Sequence, residues 1–297
     1  LAQAEQRLTA VVDGCDILDP VDLAQLLFEC DQFIGLCRYP LGHVRTPGNR
    51  MLKAFLRYRS LFSYSFADAE CDGWGHPFDV YLHPVYFTED ERRQWDQLNS
   101  QYVQRRESAI RQYPELSNAD DFWDALNTIL QKTAAPDAAQ LIPLREEREQ
   151  MAQMASQKAG TTRQLAEATS GQRGGRLVLD YNRQWSPALI KDFGDTAVNV
   201  VELKADNQPA VWRQFARREV DCLLLSETPS LSLPEALVHQ LIILTPLRPM
   251  SEISDMVDWV LGHTRTEEPL RIDLIYTSGT PEEVAVLELA EASFDLH

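Results

Sequence analysis

What this sequence lacks narrows it before anything present is weighed. No run of about 18 apolar residues occurs, so no helical membrane span is expected. No basic-then-apolar opening marks a secretory signal. The five cysteines, Cys15, Cys30, Cys37, Cys71 and Cys222, form no CxxC pair, and no histidine stands at zinc-ligand spacing from two of them. Scattered thiols in odd number fit a reduced, cytoplasmic protein with no bound metal. No Gly-x-x-x-x-Gly-Lys-Ser/Thr loop exists to cradle a triphosphate. Ser226-Glu227-Thr228 lacks the Gly-x-Ser-x-Gly setting of a nucleophile elbow. Positive charge is also scarce, with 28 Lys and Arg against 45 Asp and Glu and a net charge of −17. Basic side chains supply most of the affinity for nucleic acid, so the whole surface is not built to grip phosphates. The first residue is Leu1 and not Met, consistent with a piece of something longer.

What is present suits an ordinary globular protein, 44% hydrophobic and 25% charged, with 297 residues, enough for two compact domains. Its charge is unevenly spread. Residues 38–59 hold Arg38, Arg45, Arg50, Lys53, Arg57 and Arg59 and no acid, interleaved with Tyr39, Phe55 and Tyr58. Cations mixed with aromatic rings suit phosphate contacts plus base stacking. The same patch could instead pair with the acidic C-terminal part, where 14 acids face three arginines between Asp221 and His297. That acidic part is a solvated surface or a dock for a basic protein partner. The carboxylates Asp16, Asp19 and Glu29 read as surface groups, not as a hydrolytic pair.

Along the chain, Ala10-Val11-Val12 reads as a strand ending at Asp13, 20–29 as a helix opened by Pro20, and 32–36 as a second short strand. A basic helix is expected over 50–58, a loop around 71–77, and an extended edge segment over 80–87 because of Pro84. Thr88-Glu89-Asp90-Glu91 is a capping box opening a long polar helix to about Gln112. Further helices are expected at 119–132 and 144–158. Beyond the glycine-rich 170–175, apolar runs at 177–179, 198–201, 222–225, 240–244 and 272–276 alternate with helical stretches at 187–193, 209–217, 250–261 and 281–292. Such alternation predicts an α/β fold, a parallel sheet flanked by helices on both faces. Three parts follow: 1–75, 76–172 with the extended segment and helices, and 173–297.

Ordered motifs then resemble the motor core of superfamily 2 helicases, in the XPB-like and Swi/Snf-like branches. Arg176-Leu177-Val178-Leu179-Asp180-Tyr181 resembles the strand that opens the second RecA-like lobe. Trp212-Arg213-Gln214-Phe215 is similar to the helix before the next strand, and 222–228 with Leu233-Pro234-Glu235-Ala236 to motif V. Arg271 to Glu283, with Gly279-Thr280-Pro281-Glu282-Glu283, resembles the closing strand and helix start of that lobe. Thr280 would cap the helix there, with Glu282 and Glu283 at its positive end. Val11-Val12-Asp13-Gly14-Cys15-Asp16 sits where the family carries its Walker B box, and Ile34 to Pro40 resembles motif III. The resemblance implies that residues 1–75 are the end of a first RecA-like lobe, 76–172 a connector, and 173–297 the second lobe.

The departures bear on mechanism. Phosphoryl transfer needs a phosphate loop, a Mg²⁺-holding Asp, a water-orienting carboxylate and an arginine on the transition-state charge. Asp13 keeps the metal side, but Gly14 stands where the catalytic Glu belongs, and Cys37 and Tyr39 replace the motif III hydroxyls. Ser230 and Ser232 replace the glycine and aspartate of motif V. Where motif VI would carry several arginines, His263 follows Gly262 and Arg265 is the guanidinium nearby. Asp13, His263 and Arg265 are thus vestiges of an ATP and Mg²⁺ site, and Asp13 reads equally as a strand-end turn residue. The expectation is a pseudoenzyme with no catalytic residues and no cofactor. It would associate with DNA or RNA through the 38–59 cations and with other proteins of a repair, restriction or defence complex. The alternatives are a protein-docking scaffold and a divergent ATP-driven helicase.

Overall fold

The computed structural model describes residues 8–13, 18–36, 52, 65–73, 76–117, 122–133, 135–169, 174–181, 183–194, 196, 198–204, 208–226, 237–244, 250–263 and 268–294. Two compact units result: residues 1–76, 248–262 and 288–297, and residues 77–247 and 263–287. In the first, β1 (Thr9–Asp13), α1 (Pro20–Glu29) and β2 (Gln32–Leu36) form a βαβ unit whose strands pair in parallel, Thr9 opposite Gln32 and Asp13 opposite Leu36. Asp19 caps α1, accepting from Val21 N at 2.8 Å, and Pro20 fits the first turn, where its missing N–H costs nothing. Leu23, Leu27 and Leu52 form a small core with Val12, Leu18 and Phe33. The helix α2 (Phe66–Cys71) starts from a Ser65–Asp68 capping box, and the Phe66 ring stacks on Phe294 at 5.9 Å.

The second unit begins with β3 (Phe78–Val85) and α3 (Glu89–Gln112), the latter opened by the expected capping box between Thr88 and Glu91. A 3-10 turn at Pro114–Ser117 leads to α4 (Phe122–Lys132), α5 (Pro136–Ala139), α6 (Leu141–Gln153) and α7 (Gln157–Ala168). Leu116, Leu126, Ile129, Ala138, Leu141 and Ala109 form the core of this helical module. Arginines roof it: Arg148 lies 4.0 Å from the Tyr102 ring and 5.2 Å from Trp95, and Arg145 lies 4.5 Å from Trp123. A guanidinium over an aromatic face is attracted by the ring quadrupole while its stem covers apolar surface.

After the module come β4 (Gly175–Leu179), α8 (Ser186–Phe193), β5 (Val200–Glu202), α9 (Gln208–Ala216), β6 (Cys222–Leu225), β7 (Val238–Ile243), α10 (Met250–His263), β8 (Leu270–Thr277) and α11 (Pro281–Phe294). Six strands form one parallel sheet in the order β3-β8-β7-β4-β6-β5. The expected α/β architecture is present, and the segment around Pro84 is not merely extended. It is an edge strand of this sheet, paired with β8 along its whole length. Buried parallel strands read as continuous apolar runs, as Cys222-Leu223-Leu224-Leu225 does. Ala159 and Ala166 of α7 and Leu189 and Phe193 of α8 pack on one face against Val178, Leu224, Ile242 and Ile275. Gly175 is required by packing, because a Cβ there would lie 2.1 Å from the Phe215 ring of α9.

The helix expected over 144–158 is two helices. Main-chain continuity fails at Met154–Ser156, where Ser156 N donates to Glu91 Oε1 at 2.9 Å. A bond to a residue 65 positions away overrides good local helix propensity. Just past the break, Lys158 is fully buried, its Nζ 2.6 Å from both oxygens of buried Glu282 and 3.0 Å from Leu244 O. Burial pushes the Lys158 ammonium down and the facing Glu282 carboxylate opposes that. Lys158→Met leaves a buried carboxylate without its cation, so a loss of about 3–5 kcal/mol is expected in urea unfolding. Lys158→Met with Glu282→Gln should recover part of that loss; equal destabilisation by both variants would contradict a charge-paired clamp.

On the same face, a polar belt crosses the amino-terminal half of the sheet. Asp273 accepts from His83 (2.6 Å), Gln240 (2.6 Å) and Arg271 (2.9 Å), and burial of its charge is outweighed by these donors, which hold its carboxyl below the usual range. Gln240 Oε1 accepts from Thr169 Oγ1, and Arg176 donates to Thr169 O, so a cation sits at the C-terminus of α7. His239 is buried on the other face, its ring against the main chain of Gly174 and Gly175. Burial, then the positive charges of Arg176 and Arg271, lower its pKa from 6.5 to about 4. The folded protein therefore takes up this proton later than the unfolded chain, and stability falls as pH drops from 6.5 towards 4. The full effect is about 3 kcal/mol, at 1.36 kcal/mol per pKa unit. Denaturant melts of wild type and His239→Leu between pH 7.5 and pH 4 should show the wild type alone losing this increment; parallel pH profiles would refute it.

Candidate functional site

In an open parallel sheet, ligands bind beyond the carboxyl ends of the strands, where successive connections leave in opposite directions. Here the chain leaves β4 towards β5 and β6 and leaves β7 towards β8, so the switch falls between the neighbours β4 and β7. The turn after β4 is built by Asp180. Its main-chain N–H donates to Leu225 O at 2.8 Å, and its Oδ2 accepts from Trp185 N (2.9 Å), Ser186 N (2.8 Å) and Ser186 Oγ (3.0 Å). A carboxylate thereby meets the first N–H groups of α8, where the helix dipole favours negative charge. Burial still pushes the Asp180 carboxyl up, against those donors.

This turn places Arg183 in the left-handed region, with φ of 52°. A non-glycine residue there is strained, and such strain clusters at functional sites. Arg183 Nε donates to Ser226 Oγ at 2.9 Å, at the end of β6, and lies 3.6 Å from Glu202 Oε1, at the end of β5. Lys204 Nζ lies 3.2 Å from Glu202 Oε2. The arginine and lysine side chains are about half exposed while Glu202 is 13% exposed, so one carboxylate holds two cations at the rim. The arrangement presents guanidinium and ammonium N–H donors at the rim, their charge partly offset by Glu202. Cys222, on β6, has its thiol pushed up to about 12 by burial and stays unreactive.

Of the residues singled out from sequence, Asp13 is the last residue of β1, in the first unit. His263 is the last residue of α10. Arg38, Arg45, Arg50, Lys53, Arg57, Arg59 and Arg265 lie outside the described residues, as do Gly14, Cys37, Tyr39, Ser230 and Ser232. Among the described residues, no group of three or more His, Cys, Asp or Glu side chains could hold a metal ion. Thr280 Oγ1 accepts from Glu282 N at 3.2 Å and so caps α11 as expected, but Glu282 turns inward to Lys158. Arg183, Glu202 and Lys204 were not legible as a group, since the ends of two strands distant in sequence, β4 and β5, bring them together. The one local hint is Trp185-Ser186-Pro187, a helix start five residues after a strand-ending aspartate.

The chain matches no protein-family model and no curated protein. Among solved structures it is similar to the Hef helicase domain of Pyrococcus furiosus, at 12% identity and TM-score 0.51 over 94% of this chain and 72% of that one. Two more resemble it less in shape. They are the C-terminal part of the Fun30 ATPase domain (10% identity, TM-score 0.49, 72% and 89% covered) and the Sulfolobus solfataricus SWI2/SNF2 ATPase core in complex with double-stranded DNA (13%, 0.45, 95% and 66%). The parallel sheet, its flanking helices and the likeness to the Hef domain show a RecA-like α/β fold of the kind found in that helicase domain.

Proposed function

We propose that this chain is a helicase-like module that associates with nucleic acid without turning over ATP, as a non-catalytic, cytoplasmic part of a DNA- or RNA-processing complex in repair, restriction or defence. The observation that carries the reading is chemical: Gly14 and His263 stand where the resemblance requires a water-orienting Glu and an arginine. Glycine has no group to orient water, and a neutral imidazole cannot fork onto phosphate oxygens. Loss of such an arginine alone costs about 10³–10⁵ in rate. The donor set therefore does not fit hydrolysis of ATP with Mg²⁺. In this reading Arg38, Arg45, Arg50, Lys53, Arg57 and Arg59, with the Arg183–Lys204 rim, supply phosphate contacts on an otherwise acidic molecule.

A second reading, a protein-docking scaffold, is favoured by the excess of acids from Asp221 onward. Fluorescence anisotropy with labelled single- and double-stranded oligonucleotides across a salt series separates the two. Binding should weaken linearly in log–log form with salt, and Arg50→Ala with Arg57→Ala should reduce affinity about tenfold and the slope by about two. Binding untouched by these substitutions, or none at low salt, would count against the first reading. In the same samples, ATP turnover should stay at background with or without nucleic acid; stimulated turnover would establish a divergent motor instead.

A further inference from the structure

The corner between α6 and α7 carries no chemistry of its own, yet three turns at the carboxyl ends of the sheet are fastened to it. The last carbonyls of a helix have no donor within it. At the end of α6 two of them find donors outside: Ala152 O accepts from Thr277 Oγ1 at 2.7 Å, and Gln153 O accepts from Trp185 Nε1 at 3.0 Å. Thr277 belongs to the turn between β8 and α11, where its main-chain N–H also donates to Glu282 Oε2 at 2.8 Å. Trp185 closes the turn that Asp180 builds after β4. Lys158, at the start of α7, adds the end of β7 through Leu244 O and the start of α11 through Glu282. Ser156, between the helices, binds Glu91 Oε1, whose partner oxygen closes the capping box of α3. All of these contacts other than the Glu91 box are buried.

We infer that this corner is a coupling joint: displacement or occupancy of the strand-end crevice is transmitted through it to the helical module of residues 89–153, and the reverse. Hydrogen bonds weaken steeply with distance and angle, so the Asp180 turn and the β8–α11 turn do not shift independently of the adjacent α6 carbonyls that they bind, Gln153 O and Ala152 O. Thr277, Trp185 and Lys158 are positioning residues in this device. Reciprocity is required, since a coupling free energy between two sites acts equally in both directions. The ligand half of the inference rests on the reading that nucleic acid binds at the crevice; the mechanical half does not.

Hydrogen–deuterium exchange on the full chain tests it without ligand. Trp185→Phe and Thr277→Val each remove one donor at nearly constant shape. Trp185→Phe should raise exchange about tenfold in 141–153 and also in the 277–283 turn, and Thr277→Val should do the same in the 180–186 turn. Effects confined to each variant's own turn would overturn the coupling. Lys158→Met is the stronger variant; if it does not fold, the two conservative substitutions decide. An oligothymidine of about 30 nucleotides is then added to wild type and to the double variant. Protection of 141–153 on binding, lost in the double variant that still binds, supports the full inference. Binding with 141–153 unchanged overturns it. Absence of binding overturns the functional reading, and the ligand-free experiment still decides the joint.

Discussion

An ammonium group with no water around it must be given its counter-charge and its hydrogen-bond acceptors by the fold, and Lys158 sets that requirement for the second unit. Its partners are Leu244 O and both oxygens of Glu282, drawn from the end of β7 and the start of the last helix. A buried pair of this kind is weak evidence for stability compared with apolar packing, but it is strict about geometry. The inward turn of Glu282 and the seating of the start of α7 against the sheet follow from satisfying it. A hydrophobic residue at 158 would keep the packing of α7 but remove the directional bonds that fix its first turn to β7 and α11.

The same strictness shapes the crevice. Asp180 is held by three donors at the head of α8, so the turn it builds is stiff enough to keep Arg183 at a positive φ. The cations at the rim are thereby set by the backbone and not by side-chain chance. A rim of two cations on one carboxylate carries little net charge and gives modest attraction for a polyanion. A module of this type depends on additional cations for affinity, and the 38–59 segment is the richest run of them in the chain.

Much of the fold was legible because local and global signals agree. Asp19-Pro20 marks one helix start, Thr88-Glu89-Asp90-Glu91 another, and the apolar run 222–225 is a strand to the residue. Where the reading failed, a distant partner decided. Residues 144–158 are good helix formers throughout, and the break among them answers to Glu91 and to the strand-end turns. The segment 157–168, with Gly160 and two threonines, shows no clear amphipathic stripe; it is a helix because Lys158 and Ala159 are buried against the sheet. No local pattern marks Arg183 for positive φ, and none ties Glu202 and Lys204 to it. The vestigial nucleotide residues were read from a resemblance, and of these the structure places Asp13 and His263 at the ends of their elements.

Edge strands expose unpaired main-chain donors, and β3 is one. The carbonyls of Pro77 and Val85 accept from Leu270 and Ser278 of the neighbouring segment, so odd-numbered residues face inward and even-numbered ones outward. Pro84 is even: its missing N–H falls on the open side, where nothing inside the sheet needs it. Two residues on, the Tyr86 N–H is already taken by Gln157 Oε1 at 3.1 Å. The carboxyl half of this border thus offers an incoming strand no row of donors, which blunts the templating by which flat sheets recruit copies of themselves into insoluble stacks.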